Sequence, residues 1–232
     1  MIVILAAAAT CFVLLQTFVW VFRASFWDST NYVYLIFGVG ITRAIEYYFY
    51  KNPTMLLDLN RLGSESTWEE SLMVGICAGY FLYDIPLSLY LKEVWYLFLH
   101  HVLSFVIVST TWYYNQCGFD TLLCVWLGEF TCPFAFWIFL YADQPEKLKT
   151  KLMVLNRVLF LVFFVLLRFV IGPFLVYRLF MSRDTIMVVK AGCVMFYIVN
   201  ILLLKNIVKE LYEIRDCFTN GAKKKINKNI SY

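Results

Sequence analysis

Apolar residues along the chain group into seven runs, each close to the roughly 20 residues that an α-helix needs to cross a bilayer. The runs lie at about 2–22, 32–50, 71–91, 94–114, 119–141, 153–177 and 185–207. The longest polar joint, residues 51–69, has no room for a folded soluble domain. This pattern predicts an all-α bundle of seven transmembrane helices.

Composition strengthens this interpretation. Of the 232 residues, 62% are apolar and 16% are charged, against about 45–50% and about 25% in soluble domains. The chain is therefore predicted to be a polytopic membrane protein, with no nucleic-acid partner, no cofactor and no metal. The first run has no basic segment before it and is too long for a signal peptide, so we expect it to be a retained helix.

A few polar residues lie inside the predicted spans. His100 and His101 are the only two histidines and are neighbours in the fourth span, while Asp84 is in the third. Both spans meet at Lys92, and His100 and Asp84 each lie eight residues from it, or about 12 Å deep. Helical spacing or depth brings three more residues to the same layer as candidate cavity residues: Tyr80, Ser104 and Asn200.

This layer suits acid–base chemistry, with His100, His101 and Asp84 as candidate catalytic residues. A neutral imidazole can accept a proton or an acyl group when a carboxylate fixes its tautomer. Adjacent helical residues point about 100° apart, so one histidine can face a substrate while the other meets a neighbouring helix. The same angle argues against both binding one metal ion. The alternative is that these groups only hold helices together, each bond contributing about 0.6 kcal/mol.

A second polar set is expected deeper in the membrane. Glu129 and Arg168 fall about 21 Å and about 25 Å from the inner face by residue count, and Arg43 and Glu46 lie at a similar depth. Two positive and two negative groups can neutralise one another. We therefore predict a structural ion-pair layer in which Glu129 and Arg168 interact.

Five sequence segments together resemble the TLC-domain family. They are "GYFLYD", the "HH" that follows it, "GEFTCP", "NRVLFLVFFVLLRF" and "VKAGCVMFYIVN", and the resemblance covers roughly residues 30–210. It implies a six-helix TLC core at 30–210, an added transmembrane helix at 1–29 and a basic cytoplasmic tail at 211–232. Residence in the endoplasmic reticulum is implied by the family, with the plasma membrane as the alternative.

The resemblance also frames the function. In ceramide synthases the histidine pair serves N-acylation of a long-chain base by acyl-CoA, which would make His100 and His101 the catalytic pair; the acidic pair that follows in those enzymes is here reduced to Glu129. Small family members are tied to membrane lipid homeostasis. Three hypotheses result: a lipid-handling protein with an acyl-chain cavity, an acyltransferase with acyl-CoA as co-substrate, and a seven-helix receptor. The chain has neither an Asp-Arg-Tyr nor an Asn-Pro-x-x-Tyr motif, which argues against the receptor hypothesis.

Lys and Arg near the membrane predict the orientation. Ten flank the spans on the side of the C-terminus and four on the other side, which favours a lumenal or extracellular N-terminus and a cytoplasmic C-terminus. The tail "AKKKINKN" would then face anionic lipid headgroups, at about 1 kcal/mol for each basic residue.

This topology is testable at Asn229, which with Ser231 forms a glycosylation sequence. Expressed in a eukaryotic host, the protein is expected to leave Asn229 unmodified, because a cytoplasmic tail never meets the lumenal transferase. A mobility shift that a glycosidase reverses would place the tail in the lumen and overturn the orientation.

Overall fold

The fold was analysed in a computed structural model, which describes residues 1–21, 25–53, 61–92, 94–141 and 150–230. Within those ranges the chain is helical and forms no named strand. The helices are α1 Ile2–Trp20, α2 Phe26–Lys51, α3 Trp68–Tyr90, α4 Trp95–Tyr114, α5 Gly118–Glu129, α6 Cys132–Leu140, α7 Lys151–Val165, α8 Gly172–Met181 and α9 Met187–Ile230. A π-helical turn, Leu166–Ile171, joins α7 to α8. The predicted all-α membrane bundle is confirmed.

Six stretches of the described chain are long and apolar enough to cross a membrane: Ile2–Trp20, Trp68–Tyr90, Trp95–Tyr114, Gly118–Ile138, Lys151–Met181 and Met187–Lys209. The remaining predicted span, 32–50, falls within α2. That helix has 26 residues, or about 39 Å, which is long enough to cross. Its polar residues, including Arg43 and Glu46, lower its apolarity. It packs against α1, α3, α5 and α6, so much of its surface faces protein rather than lipid.

Two predicted spans are interrupted in the structure. The span at 119–141 breaks between α5 and α6, where Pro133 cannot donate a backbone hydrogen bond and Thr131 Oγ1 donates to the Gly128 carbonyl at 3.2 Å. The span at 153–177 contains the π-turn, which ends at Gly172 and is followed by Pro173. Single π-turns occur frequently at functional sites, and both breaks border the cavity described below.

A cluster of buried polar groups ties together the ends of α2, α3 and α5. The carboxylate of Glu70 is fully buried and accepts hydrogen bonds from Tyr48 Oη at 2.7 Å, Arg61 Nη2 at 2.6 Å and the Thr67 backbone N–H at 2.8 Å. With donors on several sides, this carboxylate holds the loop before α3 against α2. The cluster fixes the end of the bundle opposite to the histidines.

Gly63 shows how tightly this end is packed. Its backbone N–H donates to Asp120 Oδ2 at 2.7 Å, and its φ of +82° lies in the left-handed region. A Cβ at this position would lie 2.4 Å from the backbone nitrogen of Thr185. Only glycine satisfies both constraints, so the loop before α3 locks against the start of α5 and the loop before α9.

Helix α1 is docked on α3 rather than loosely attached. A Cβ on Gly79 would lie 2.4 Å from the Ile4 carbonyl oxygen and 2.5 Å from Ala7 Cβ, so the two backbones approach closely because glycine has no side chain. The predicted boundary between residues 29 and 30 remains a prediction. The basic side chains of the predicted lipid-binding tail, 211–232, lie outside the described part of the structure.

Candidate functional site

Asp84 forms a buried connection between three helices. It lies on α3 with no exposed surface. Tyr34 of α2 donates to Asp84 Oδ1 at 2.6 Å, and His101 Nδ1 of α4 lies 2.5 Å from Asp84 Oδ2. We call Tyr34, Asp84 and His101 the carboxylate clamp. A buried carboxylate is stable only with such partners, so the clamp fixes how α2, α3 and α4 approach one another.

His100 points away from this clamp. Its ring lies edge-on to Phe196 of α9, with centroids 4.9 Å apart, and at 76° to the His101 ring, with centroids 5.4 Å apart. Its Nδ1 is buried and makes no hydrogen bond to any described residue. The two histidines therefore have different surroundings: His101 contacts Asp84, and His100 lines a cavity.

This cavity has a volume of about 900 Å³, counting the space at its mouth. Its wall is formed by α4, α5, the π-turn, α8 and α9, with Phe81 contributed by α3. One part is apolar and is lined by Ile107, Val108, Val125, Leu175, Val176 and Val189. The polar part contains His100, Glu129, Arg168 and Asn200. The site is therefore amphipathic along its length.

Arg168 is the cation of the polar part. Its Nη1 donates to Asn200 Oδ1 at 2.5 Å, and its Nη2 donates to the Gly128 carbonyl at 2.8 Å. The guanidinium also stacks over Phe164, 4.7 Å from the ring centroid. Arg168 lies in the π-turn, which adds a residue to the helical turn and directs this side chain toward α5 and α9.

The predicted ion-pair layer is formed only in part. The structure has no ion pair between Glu129 and Arg168, although both are fully described. Glu129 Oε2 instead accepts from Cys132 Sγ at 2.9 Å. Arg43 and Glu46 pair with each other at 2.5 Å on α2, where the Arg43 side chain is 72% exposed. Glu129 and Arg168 nevertheless line the same polar part of the cavity and attract each other through space without a direct ion pair.

The three predicted cavity residues differ in outcome. Asn200 lines the cavity together with His100, as predicted, and accepts a hydrogen bond from Arg168 Nη1. Tyr80 does not line the cavity: its ring stacks on Phe37 with centroids 3.6 Å apart. Ser104 does line it and donates to the His100 carbonyl at 2.8 Å.

Sequence reasoning missed two components of the site. Gly172-Pro173 in the middle of an apolar span is a signal for a helix irregularity, and it marks the π-turn that carries Arg168. Tyr34 gave no signal, because a tyrosine in an aromatic-rich span looks like any other apolar residue. In the part of the chain that the structure describes, no three His, Cys, Asp or Glu side chains are grouped so as to hold a metal ion.

Comparison with known protein families decides what kind of bundle this is. The family model of the TLC domain, named for TRAM, LAG1 and CLN8, matches residues 7–212. The chain belongs to the TLC-domain family. The matched range begins inside α1 and covers every residue of the clamp and cavity. No curated protein and no solved structure matches the chain significantly.

The carboxylate clamp yields a stability prediction. Tyr34→Phe removes one hydrogen bond to the buried Asp84 and is expected to destabilise this TLC-domain protein by about 1.5–3 kcal/mol. The measurement is the apparent melting temperature of purified protein in detergent. Tyr32→Phe is the matched control, since Tyr32 is on the same helix and contacts Phe18 and Phe136 through its ring. Equal melting temperatures for both variants would contradict the clamp.

Proposed function

We propose that this TLC-domain protein binds a single-chain lipid in its intramembrane cavity and acts in membrane lipid homeostasis. The proposed location is the endoplasmic reticulum, with the plasma membrane as the alternative. The observation that carries the proposal is the amphipathic cavity, whose apolar part ends in a cluster of polar groups. Sites for small ligands are generally apolar clefts with a few convergent polar groups.

The dimensions suit a chain rather than a compact ligand. On α9 the lining runs from Val189 to Asn200, eleven residues or about 16 Å along the helix axis. Branched aliphatic side chains line the end of the cavity near Val189, and the polar groups line the end near Asn200. On the topology that the charge distribution predicts, α9 runs from the lumenal side to the cytoplasm, so the polar end of the cavity is the end nearer the cytoplasm. A lipid would then sit with its headgroup toward the cytoplasm.

The carboxylate clamp favours binding over catalysis. In enzymes that use a His–Asp pair, the carboxylate orients the same imidazole that meets the substrate. Here Asp84 contacts His101, whereas His100 lines the cavity. The oriented imidazole and the cavity-facing imidazole are therefore different residues, which suits a structural clamp beside a binding site.

The binding proposal is tested by filling the cavity. Val176→Trp places an indole inside it and is expected to reduce co-purified single-chain lipid several-fold, as measured by mass spectrometry of the protein purified in detergent. Val162→Trp is the matched control, because Val162 is 53% exposed on α7 and does not line the cavity. If folded Val176→Trp protein retains as much lipid as the control, the cavity is not the lipid site.

An acyltransferase is the second candidate, favoured by His100 on the cavity wall, whose Nδ1 has no hydrogen-bond partner in the described part of the chain. A neutral imidazole there is suited to accept the proton of an amine that attacks the thioester of acyl-CoA, and to pass that proton to the CoA thiolate that leaves when the C–S bond breaks. The test is incubation of the purified protein with long-chain acyl-CoA and a panel of amine acceptors. An enzyme gives an N-acyl product that His100→Ala abolishes, whereas co-purified lipid without product across the panel rejects catalysis.

A further inference from the structure

We propose that the lipid in this cavity is anionic, and that Arg168 binds its headgroup. The class is a single-chain lipid that ends in a carboxylate or a phosphate monoester. This inference rests on the proposed lipid-binding function and adds the chemistry of the headgroup and the residue that selects it.

The first argument is the number of free donors on Arg168. A guanidinium has five N–H donors, and two of them are used by Asn200 and the Gly128 carbonyl. The Nε–H is buried, and no described residue accepts from it. The Nε–H and the Nη2–H beside it form a fork with the spacing of the two oxygens of a carboxylate, so a headgroup would share Nη2 with the Gly128 carbonyl. The bonds to Asn200 and Gly128 hold the fork in place before a ligand arrives.

The second argument is charge. Both acceptors of Arg168 are neutral, and the structure gives it no ion pair within the described chain. A cation inside a bilayer is costly and is usually paired. Glu129 is the acidic residue of the cavity wall and attracts Arg168 through space, but it forms no direct ion pair, and its Oε2 accepts from Cys132 at the break between α5 and α6. An anionic headgroup would supply the direct partner that the protein does not.

The third argument is a second polar group beside the first. His100 lines the same polar part of the cavity, and its Nδ1 has no hydrogen-bond partner among described residues. An imidazole with its proton on Nδ1 would donate to another oxygen of the headgroup. Neutral headgroups use these donors without balancing the charge of Arg168, and amines are repelled by it. The site thus discriminates between lipids of equal chain length.

The experiment compares such lipids directly. Wild-type protein in phosphatidylcholine nanodiscs is titrated with radiolabelled palmitate, hexadecanol, hexadecylamine and palmitoyl lysophosphatidate. We expect both anionic probes to bind more tightly than the alcohol and the amine. Their relative affinities then distinguish a carboxylate site from a phosphate site. Arg168→Gln should weaken the better anionic probe about tenfold or more and leave hexadecanol nearly unchanged.

Matched variants separate this effect from a general loss of structure. Arg43→Gln removes an exposed cation outside the cavity and should leave all four affinities unchanged. Glu129→Gln removes the negative charge of the cavity wall and should tighten the binding of the anionic probes. If Arg168→Gln fails to fold, the ranking of the four probes on wild-type protein still tests the proposal. Arg168→Lys tests it as well, because this variant keeps the charge but loses the fork and should weaken the better anionic probe.

Each outcome has a distinct meaning. Hexadecanol or hexadecylamine binding as tightly as the anionic probes would overturn the anionic headgroup and leave the lipid cavity intact. The same holds if Arg168→Gln weakens all probes equally. If none of the probes binds to wild-type protein, the proposed lipid-binding function itself fails, and this inference falls with it.

Discussion

A buried carboxylate organises the half of the bundle that contains the site. Asp84 has no exposure to solvent, and the bilayer offers no water to replace a missing partner. It must therefore be met by Tyr34 from α2 and His101 from α4, which fixes the rotation of both helices about α3. Since adjacent helical residues diverge by about 100°, the position of His101 at Asp84 directs His100 toward α9 and the cavity.

At the polar end of the cavity the charged group has no direct ion-pair partner among the described residues. Asp84 has a charge-compatible partner at each oxygen, whereas Arg168 has neutral acceptors and an Nε–H with none among described residues. Both groups are ionisable and lie within the bundle, yet only one is balanced by direct contacts. The π-turn that presents Arg168 costs regular hydrogen bonding, and irregular backbone in a membrane is found where it is buried in protein or lines a cavity.

The sequence predicted the features that depend on local residue patterns and on contacts between segments close together in the chain. Apolar runs of spanning length gave the bundle, and the short connection at Lys92 brought Asp84 beside the histidine pair. Predictions failed where a regular helix was assumed, because Pro133 and Gly172-Pro173 interrupt two of the predicted spans. The rotation of a helix about its axis is set by packing across the bundle, which no local pattern encodes, so sequence could not show that Glu129 and Arg168 share the cavity without a direct ion pair.

The separation of the two histidines bears directly on mechanism. For Asp84 to assist chemistry in the cavity, its influence would have to pass from His101 to His100. Their rings lie 5.4 Å apart at 76°, and no hydrogen bond joins them. His100 would then act as a base without an orienting carboxylate, and its tautomer would be set by the ligand. Binding needs no such relay. It needs a shaped apolar wall, a fixed cation and a donor or acceptor such as His100 Nδ1, which has no partner among the described residues, and the cavity wall contains all three.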